Sequence, residues 1–325
     1  MVETFKSFLS EPQEILITTH KSPDGDAVGS SVACYEFLKA CGKKPFILFP
    51  DSPSENLMPF LDGVEYSFYE EGFNVSSFEL VFCLDYNHIF RVGEAMSSIF
   101  EGLKCKKIMI DHHPDPSSFC DLTISRPDVC STAQLFFEVI EEADMLSKLN
   151  TKACESIYLG IMTDTGSFRY PSVTAKTHDV LSKVIAKGVV PFKIHESIFD
   201  QNTIEQLKLR GFAVLDKMQL IENSPVGFMD LSLDDLNTFN YQKGDTEGLV
   251  NVILSIKGIS IAIFMMENQD GKVKMSFRSK GKYFVNEFAQ KYFNGGGHKY
   301  AAGGMSELSL SQTKDLLLKH YKELL

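Results

Sequence analysis

None of the seven cysteines (34, 41, 83, 105, 120, 130, 154) lies in a CxxC pair, and their number is odd. That pattern argues against a disulfide framework and against a thiolate zinc site. Several sit inside apolar runs, where a thiol is most simply a small buried hydrophobe. The N-terminus, Met1 to Ser10, lacks a basic region followed by an apolar stretch, so no signal peptide is expected. No apolar run approaches the roughly 20 residues needed to span a bilayer. Both absences point to a cytoplasmic protein with no membrane partner. Low-complexity tracts and internal repeats are also missing. So are Gly-x-Ser-x-Gly and Walker-type runs, which leaves no nucleophile-elbow or nucleoside-triphosphate motif.

Positive charge is scarce: 32 Lys and Arg face 43 Asp and Glu, for a net −11. Such a balance opposes binding to long nucleic acid, whose affinity comes mainly from neutralising phosphates. Residues 271–300 run the other way, with six Lys and one Arg against one Glu, a local +6. An acidic protein with one basic patch suits a small or short anionic substrate better than a polymer.

At 325 residues the chain is long for a single core, so two domains are expected. The first half alternates strand-like and helix-like segments, which implies an α/β fold with a mostly parallel sheet flanked by helices. Strands are expected at 14–19, 45–49, 79–84 and 107–110, and helices at 27–41, 131–147, 152–163 and 174–187. A helical pattern from Pro191 to about Leu220 reads as a connector. Beyond Ser224-Pro225 the pattern becomes strand 226–231, helix 247–256 and an apolar strand 259–266. The turn Asn268-Gln269-Asp270-Gly271 then leads to a return strand 272–278, with helices at 284–293 and 311–324. The expected domains are therefore 1–190, a helical linker 191–223, and a smaller α/β domain 224–325.

Chemistry-bearing residues cluster after the apolar runs. His20, Asp24 and Asp26 follow Ile15-Leu16-Ile17; Asp85 follows Leu80-Val81-Phe82-Cys83-Leu84; Asp111-His112-His113 follows Ile108-Met109-Ile110. Asp164 closes the segment Gly160-Ile161-Met162-Thr163. Ligands of open parallel sheets bind beyond the carboxyl ends of the strands, so the fold itself would gather the first three groups at one rim. A lone Asp after a strand is ordinarily a turn or cap residue, and a lone His is ordinarily structural. Taken together, five carboxylates and three imidazoles at compatible points describe a two-metal hydrolytic centre. Asp24 and Asp26 would each reach a different cation and Asp85 would bridge. His20 would complete one site, His112 and Asp164 the other. Mixed imidazole and carboxylate donors suit Mn²⁺, Fe²⁺, Co²⁺ or Zn²⁺ better than Mg²⁺ or Ca²⁺.

These residues carry a family resemblance. The chain resembles the DHH/DHHA1 phosphoesterases, and within them the nanoRNase and pAp phosphatase (bifunctional oligoribonuclease) branch. His20 to Asp26 with Ala27-Val28-Gly29-Ser30 resembles the first family motif, Asp85 the second, Asp111-His112-His113 the third and Asp164 the fourth. Arg278-Ser279 and Gly295-Gly296-Gly297-His298, with Ala301-Ala302-Gly303, resemble the DHHA1 signature. The resemblance implies one metal held by His20, Asp24 and Asp85, and another by Asp26, Asp85, His112 and Asp164, both usually Mn²⁺. It implies that His113 faces the substrate phosphate, and that Asp111 either orients the histidines or caps a helix. Arg278, Ser279, Gly295, Gly296, Gly297 and His298 would bind substrate, in a cleft between the domains.

The implied activity is a hydrolase: an oligoribonuclease degrading short RNA, a 3′(2′),5′-bisphosphate nucleotidase acting on adenosine 3′,5′-bisphosphate (pAp), or both. A homodimer is the default expectation for such an enzyme. The alternatives are a cyclic- or linear-dinucleotide phosphodiesterase and, from another class, a non-catalytic nucleotide-binding module. Degenerate members of the latter kind should have lost a ligand, and none is missing here.

Overall fold

The computed structural model describes residues 2–325, and the chain divides between Gln201 and Asn202 into two compact units. The first contains six strands: β1 (Glu14–Thr18), β2 (Lys44–Phe49), β3 (Tyr66–Phe68), β4 (Leu80–Leu84), β5 (Lys106–Asp111) and β6 (Leu122–Ser125). They form one sheet in the order β3-β2-β1-β4-β5-β6, with every neighbouring pair parallel. Parallel sheets are covered on both faces, so their strands read as unbroken apolar runs. All five residues of β4 are buried, as are four of the five in β1. Ile15, Ile17 and Phe82 join the larger core on one face, while Leu16, Val81, Cys83 and Met109 pack with Val92, Met96 and Phe100 on the other.

The sheet order reverses direction at β1, whose neighbours are β2 and β4. That reversal opens a crevice at the carboxyl ends of β1 and β4. The helix Gly25–Ala40 leads away from this rim and is buried nearly all round. Its glycines and small residues permit a close approach to the helix Thr151–Asp164. A methyl group on Gly29 would stand 2.4 Å from the Ser156 carbonyl oxygen, and one on Gly160 would stand 2.5 Å from Ala133 Cβ. The helix expected at 131–147 ends earlier, at Glu142. Asp144 then takes a left-handed backbone (φ 57°), and a single 3₁₀ turn follows at Leu146–Lys148.

The second unit holds β7 (Met218–Leu220), β8 (Val226–Leu231), β9 (Ile261–Glu267), β10 (Val273–Ser279), β11 (Gly296–His298) and β12 (Ala301–Ser306). Their order is β11-β12-β10-β9-β8-β7, antiparallel except for the β8–β9 pair. One face buries Val273, Met275 and Phe277 under Phe288, Phe293 and Leu317, and the other buries Ala262 and Phe264 under Leu249 and Ile253. The β9–β10 hairpin turns as expected at Asn268–Gly271. Asn268 Oδ1 accepts from the Asp270 and Lys272 amides, and Gly271 takes φ 74°.

Residues 191–223 differ from the expected helical linker. Ile194 and Ile198, in or at the helix Pro191–Phe199, pack in the first unit's core. Leu209 and Ala213 pack in the second unit's core, and Met218–Leu220 is a sheet strand. Apolar residues on each helix face are claimed by the nearer core, which leaves no free-standing connector. No helix among the described residues is long and apolar enough to cross a membrane.

Candidate metal centre

The turn after β1 is shaped by local bonds. Ser22 takes a left-handed backbone (φ 57°), and its amide donates to Asp51 Oδ1 at 2.5 Å. Asp24 caps the helix Gly25–Ala40, accepting from the Asp26 and Ala27 amides at 3.0 Å. Its second carboxylate oxygen lies outside those cap bonds. Asp26 sits in the first turn of the same helix and accepts from the backbone amides of Thr132 (2.6 Å) and Ala133 (2.9 Å). Those amides open the helix Thr132–Glu142, where unpaired N–H groups and the helix dipole favour negative charge. Ser131 is the cap of that helix, accepting from the Gln134 amide at 3.0 Å.

Asp85 follows β4 directly with φ 66°, a left-handed conformation that is costly for a residue other than glycine. The bend points its carboxylate into the rim. Oδ2 lies 3.4 Å from His20 Nε2 and Oδ1 lies 3.6 Å from His112 Nε2. His20 Nε2 is also 3.8 Å from Asp24 Oδ1, and His112 Nε2 is 3.3 Å from Asp164 Oδ2 and 4.0 Å from Asp26 Oδ2. Two donor groups thus stand on either side of one carboxylate: His20, Asp24 and Asp85; and Asp26, His112 and Asp164. Within each, the donor atoms lie within 4.8 Å of one another.

The imidazoles are oriented from behind. His20 Nδ1 lies 2.9 Å from the Lys21 carbonyl and His112 Nδ1 lies 3.4 Å from the Val129 carbonyl. With Nδ1–H donating to a carbonyl, each ring turns a basic Nε2 toward the carboxylates, the arrangement a metal-ligating histidine requires. His113 Nδ1 lies instead 2.7 Å from Asp111 Oδ1, so its Nε2 is the nitrogen turned away from that bond. Asp111 is fully buried and belongs to neither of the two donor groups above, although it forms a third with Asp85 and His113.

Charge at the centre is one-sided. Burial works against ionisation of Asp26, and the charges of Asp85 and Asp164 add to it, pushing its pKa well above the carboxylate range. Burial likewise opposes the charged forms of His20 and Asp85. There the hydrogen bonding and charges of the opposite partners win, holding the His20 pKa well up and the Asp85 pKa well down. Four carboxylates, those of Asp26 and Asp85 buried, with imidazole Nε2 atoms aimed between them fit divalent cations of intermediate hardness. His20, Asp24, Asp85, Asp26, His112 and Asp164 are the residues that could hold them.

From the sequence, Ser131 or Thr132 is no more than a candidate cap for the helix expected at 131–147. In the structure the Thr132 hydroxyl donates to Asp85 Oδ1 at 2.9 Å, and it is fully buried. The signal was the Ser131-Thr132 pair before an apolar helix, which marks a helix start without showing which carboxylate the second hydroxyl meets.

The residues expected to bind substrate lie together at one end of the second unit's sheet. Arg278 and His298 both stand opposite Ala301, on β10 and β11 respectively, and the Arg278 Nη1 donates to the Phe277 carbonyl at 3.0 Å. Ser279 is buried and its hydroxyl donates to the Tyr283 carbonyl at 2.7 Å, which ties down the following loop. Two of the three glycines answer a packing demand. A Cβ on Gly295 would lie 2.1 Å from the Gly303 carbonyl, and Gly297 takes φ 135° with Ala301 O in the way. Gly296 has open space above it.

Comparison with known proteins places this arrangement. The chain belongs to the DHH family: the DHH family, N-terminal domain, matches residues 14–161, and the DHHA1 domain matches residues 230–325. It is 32% identical over 292 residues to the bifunctional oligoribonuclease and PAP phosphatase NrnA of Bacillus subtilis, covering 89% of this chain and 88% of that one. It is 29% identical to the protein of the same name from Thermus thermophilus, over 95% of this chain and 89% of the other. A solved structure of an exopolyphosphatase-related protein from Bacteroides fragilis superposes with a TM-score of 0.94 at 31% identity, covering 99% of this chain and 95% of that chain.

Proposed function

We propose that the chain is a two-metal phosphoesterase that hydrolyses short RNA oligonucleotides to mononucleotides and removes the 3′-phosphate of adenosine 3′,5′-bisphosphate. The observation that carries this reading is the placement of Asp85, one oxygen toward His20 and the other toward His112. A single carboxylate shared in this way is what two adjacent cations need. The similar proteins from B. subtilis and T. thermophilus are named for both activities, which supports the choice of substrates.

His20, Asp24 and Asp85 would hold one Mn²⁺; Asp26, Asp85, His112 and Asp164 would hold the other. Divalent cations there would acidify water and neutralise charge on a phosphoryl group. The protein's own groups do the rest. Backbone amides of Thr132 and Ala133 fix Asp26, and the Thr132 hydroxyl fixes Asp85. Asp111 holds Nδ1 of His113 and fixes the ring, and Nε2 in its protonated form would donate to the substrate phosphate or the leaving oxygen. Arg278, His298 and the glycine-rich segment from Gly295 to Gly297 bind the substrate's terminal nucleotide or its phosphate, with Ser279 shaping their loop. The site would operate in the cytoplasm, on short or mononucleotide substrates.

The test measures phosphate and mononucleotide release, with Mn²⁺ and with EDTA, from three substrates side by side. These are adenosine 3′,5′-bisphosphate, a 5′-phosphorylated RNA dinucleotide and a cyclic dinucleotide. Metal-dependent hydrolysis of the first two, with the third untouched, is the expected result. Preference for the cyclic dinucleotide would overturn the substrate assignment while keeping the metal chemistry. Hydrolysis of none, with metal bound, would overturn the assignment altogether.

A further inference from the structure

Seven aromatic residues lie between Phe277 and Tyr300, and five of them are buried or half-buried. The two that remain, Phe284 and Tyr300, are 45% and 41% exposed. They are not scattered singly. Their ring centroids are 5.5 Å apart with the planes at 62°, an edge-to-face pair standing in solvent.

The backbone holds that pair in place. Tyr300 occupies the two-residue connection between β11 and β12, and its carbonyl accepts from the Ser279 amide at 2.9 Å. Phe284 lies in the loop after β10, where the Val285 amide donates to the Lys299 carbonyl at 2.8 Å and Ser279 Oγ donates to the Tyr283 carbonyl at 2.7 Å. Two of these hydrogen bonds tie the two loops together beneath exposed rings, and the third braces the Phe284 loop from within.

The charge around them is of one sign. Lys299 Nζ stands 5.2 Å from the centre of the Phe284 ring and Lys282 Nζ stands 5.3 Å from the centre of Tyr283. Neither ammonium has a carboxylate within ion-pair distance among the described residues, unlike Lys272 and Lys291, which pair with Glu307 and Glu323. Aromatic faces interleaved with unpaired lysines are the chemistry that recognises single-stranded nucleic acid, bases on the rings and phosphates on the cations. An isolated exposed aromatic needs no such explanation.

We propose that Phe284 and Tyr300 form a stacking platform for a nucleobase of a short single-stranded oligonucleotide, with Lys282 and Lys299 meeting the adjoining phosphates. A stacked base takes the face of Phe284 now covered by the Lys299 ammonium, whose flexible stem lets it turn to a phosphate. The platform adjoins Arg278 and His298 in the chain, so it takes a nucleotide beyond the one those residues hold. It deepens the phosphoesterase reading by giving the protein a reason to favour oligomers over a bisphosphorylated mononucleotide, and it rests on that reading only for its purpose.

The experiment measures affinity of the full-length protein, in EDTA so that nothing is cleaved. The probes are a labelled 5′-phosphorylated triadenylate and the same trimer with abasic sugars at its second and third positions. The intact trimer should bind the native protein about tenfold more tightly than the abasic one. In Phe284→Leu and Tyr300→Leu, which keep an apolar side chain, that ratio should fall toward one, and Phe284→Tyr should restore it. An unchanged ratio in both leucine variants, or no base dependence in the native protein, overturns the platform. Hydrolysis of adenosine 3′,5′-bisphosphate with Mn²⁺ separately reports the phosphoesterase reading, so the two can fail independently.

Discussion

Thr132 Oγ1 donates a hydrogen bond of 2.9 Å to Asp85 Oδ1, and both side chains are buried. The hydroxyl steadies the carboxylate placed between two imidazoles, and it does so from the helix whose first amides grip Asp26. Thr132→Val keeps the shape and the backbone amides but removes the donor. Metal affinity, followed by calorimetry, should fall about 10- to 100-fold, and Thr132→Ser should recover most of it. Equal affinity in Thr132→Val would show that the bond is incidental.

Asp85→Ala should remove activity to background and reduce bound metal from two equivalents, measured by elemental analysis of the dialysed protein. Loss of a group shared by two sites should affect both at once. A variant that retains activity would rule out the shared carboxylate.

Asp111→Asn leaves both donor groups intact but weakens the hold on His113 Nδ1. Steady-state kinetics should show kcat lowered on the order of 100-fold, with metal content retained. Parallel loss of metal would mean that Asp111 serves the cations instead.

Gly160→Ala would bring a methyl group within 2.5 Å of Ala133 Cβ and 2.6 Å of Asp26 Oδ1. Urea unfolding should show a loss of about 1–3 kcal/mol, the usual cost of overpacking a close contact. Weaker metal binding should accompany it, since the methyl group presses on a ligand. Gly211, with nothing near its Cβ, is the control, and Gly211→Ala should leave stability unchanged or raise it.

Asp235 offers a pH-dependent contribution in the second unit. Burial raises its pKa, but Lys217 and the Ser232 amide and hydroxyl outweigh burial and hold it below the usual carboxylate range. A carboxylate depressed in the folded state stabilises the fold above its unfolded pKa, and that stability disappears as pH falls through the folded pKa. Asp235→Asn should therefore cost about 1 kcal/mol at pH 7, part of it from the lost capping box. The difference from the native protein should shrink as the denaturation is repeated from pH 5 downward.

The apolar runs that became β1, β4 and β5 were legible because strands buried on both faces carry little else. The residues after them were legible because a parallel sheet delivers its strand ends to one rim. Other parts were not. Strand β12 includes Ala301-Ala302-Gly303-Gly304, residues with little strand preference, and is imposed by pairing with β10 and β11. Strand β3 is only three residues long, too short for any period to show. The bonds to Asp26 come from backbone amides, which every residue but proline possesses, so no residue type could have announced them.

Asp26 meets donors 106 residues farther along the chain, and Asp85 meets one 47 residues away. Closing such distances requires the strands and helices that carry these residues to be in place, so the complete donor set is a property of the folded unit. A cation that recognises only the finished arrangement cannot hasten its formation. It can only retard escape from it. Metal scarcity would then act on this protein twice over, halting its chemistry and shortening the lifetime of each native molecule.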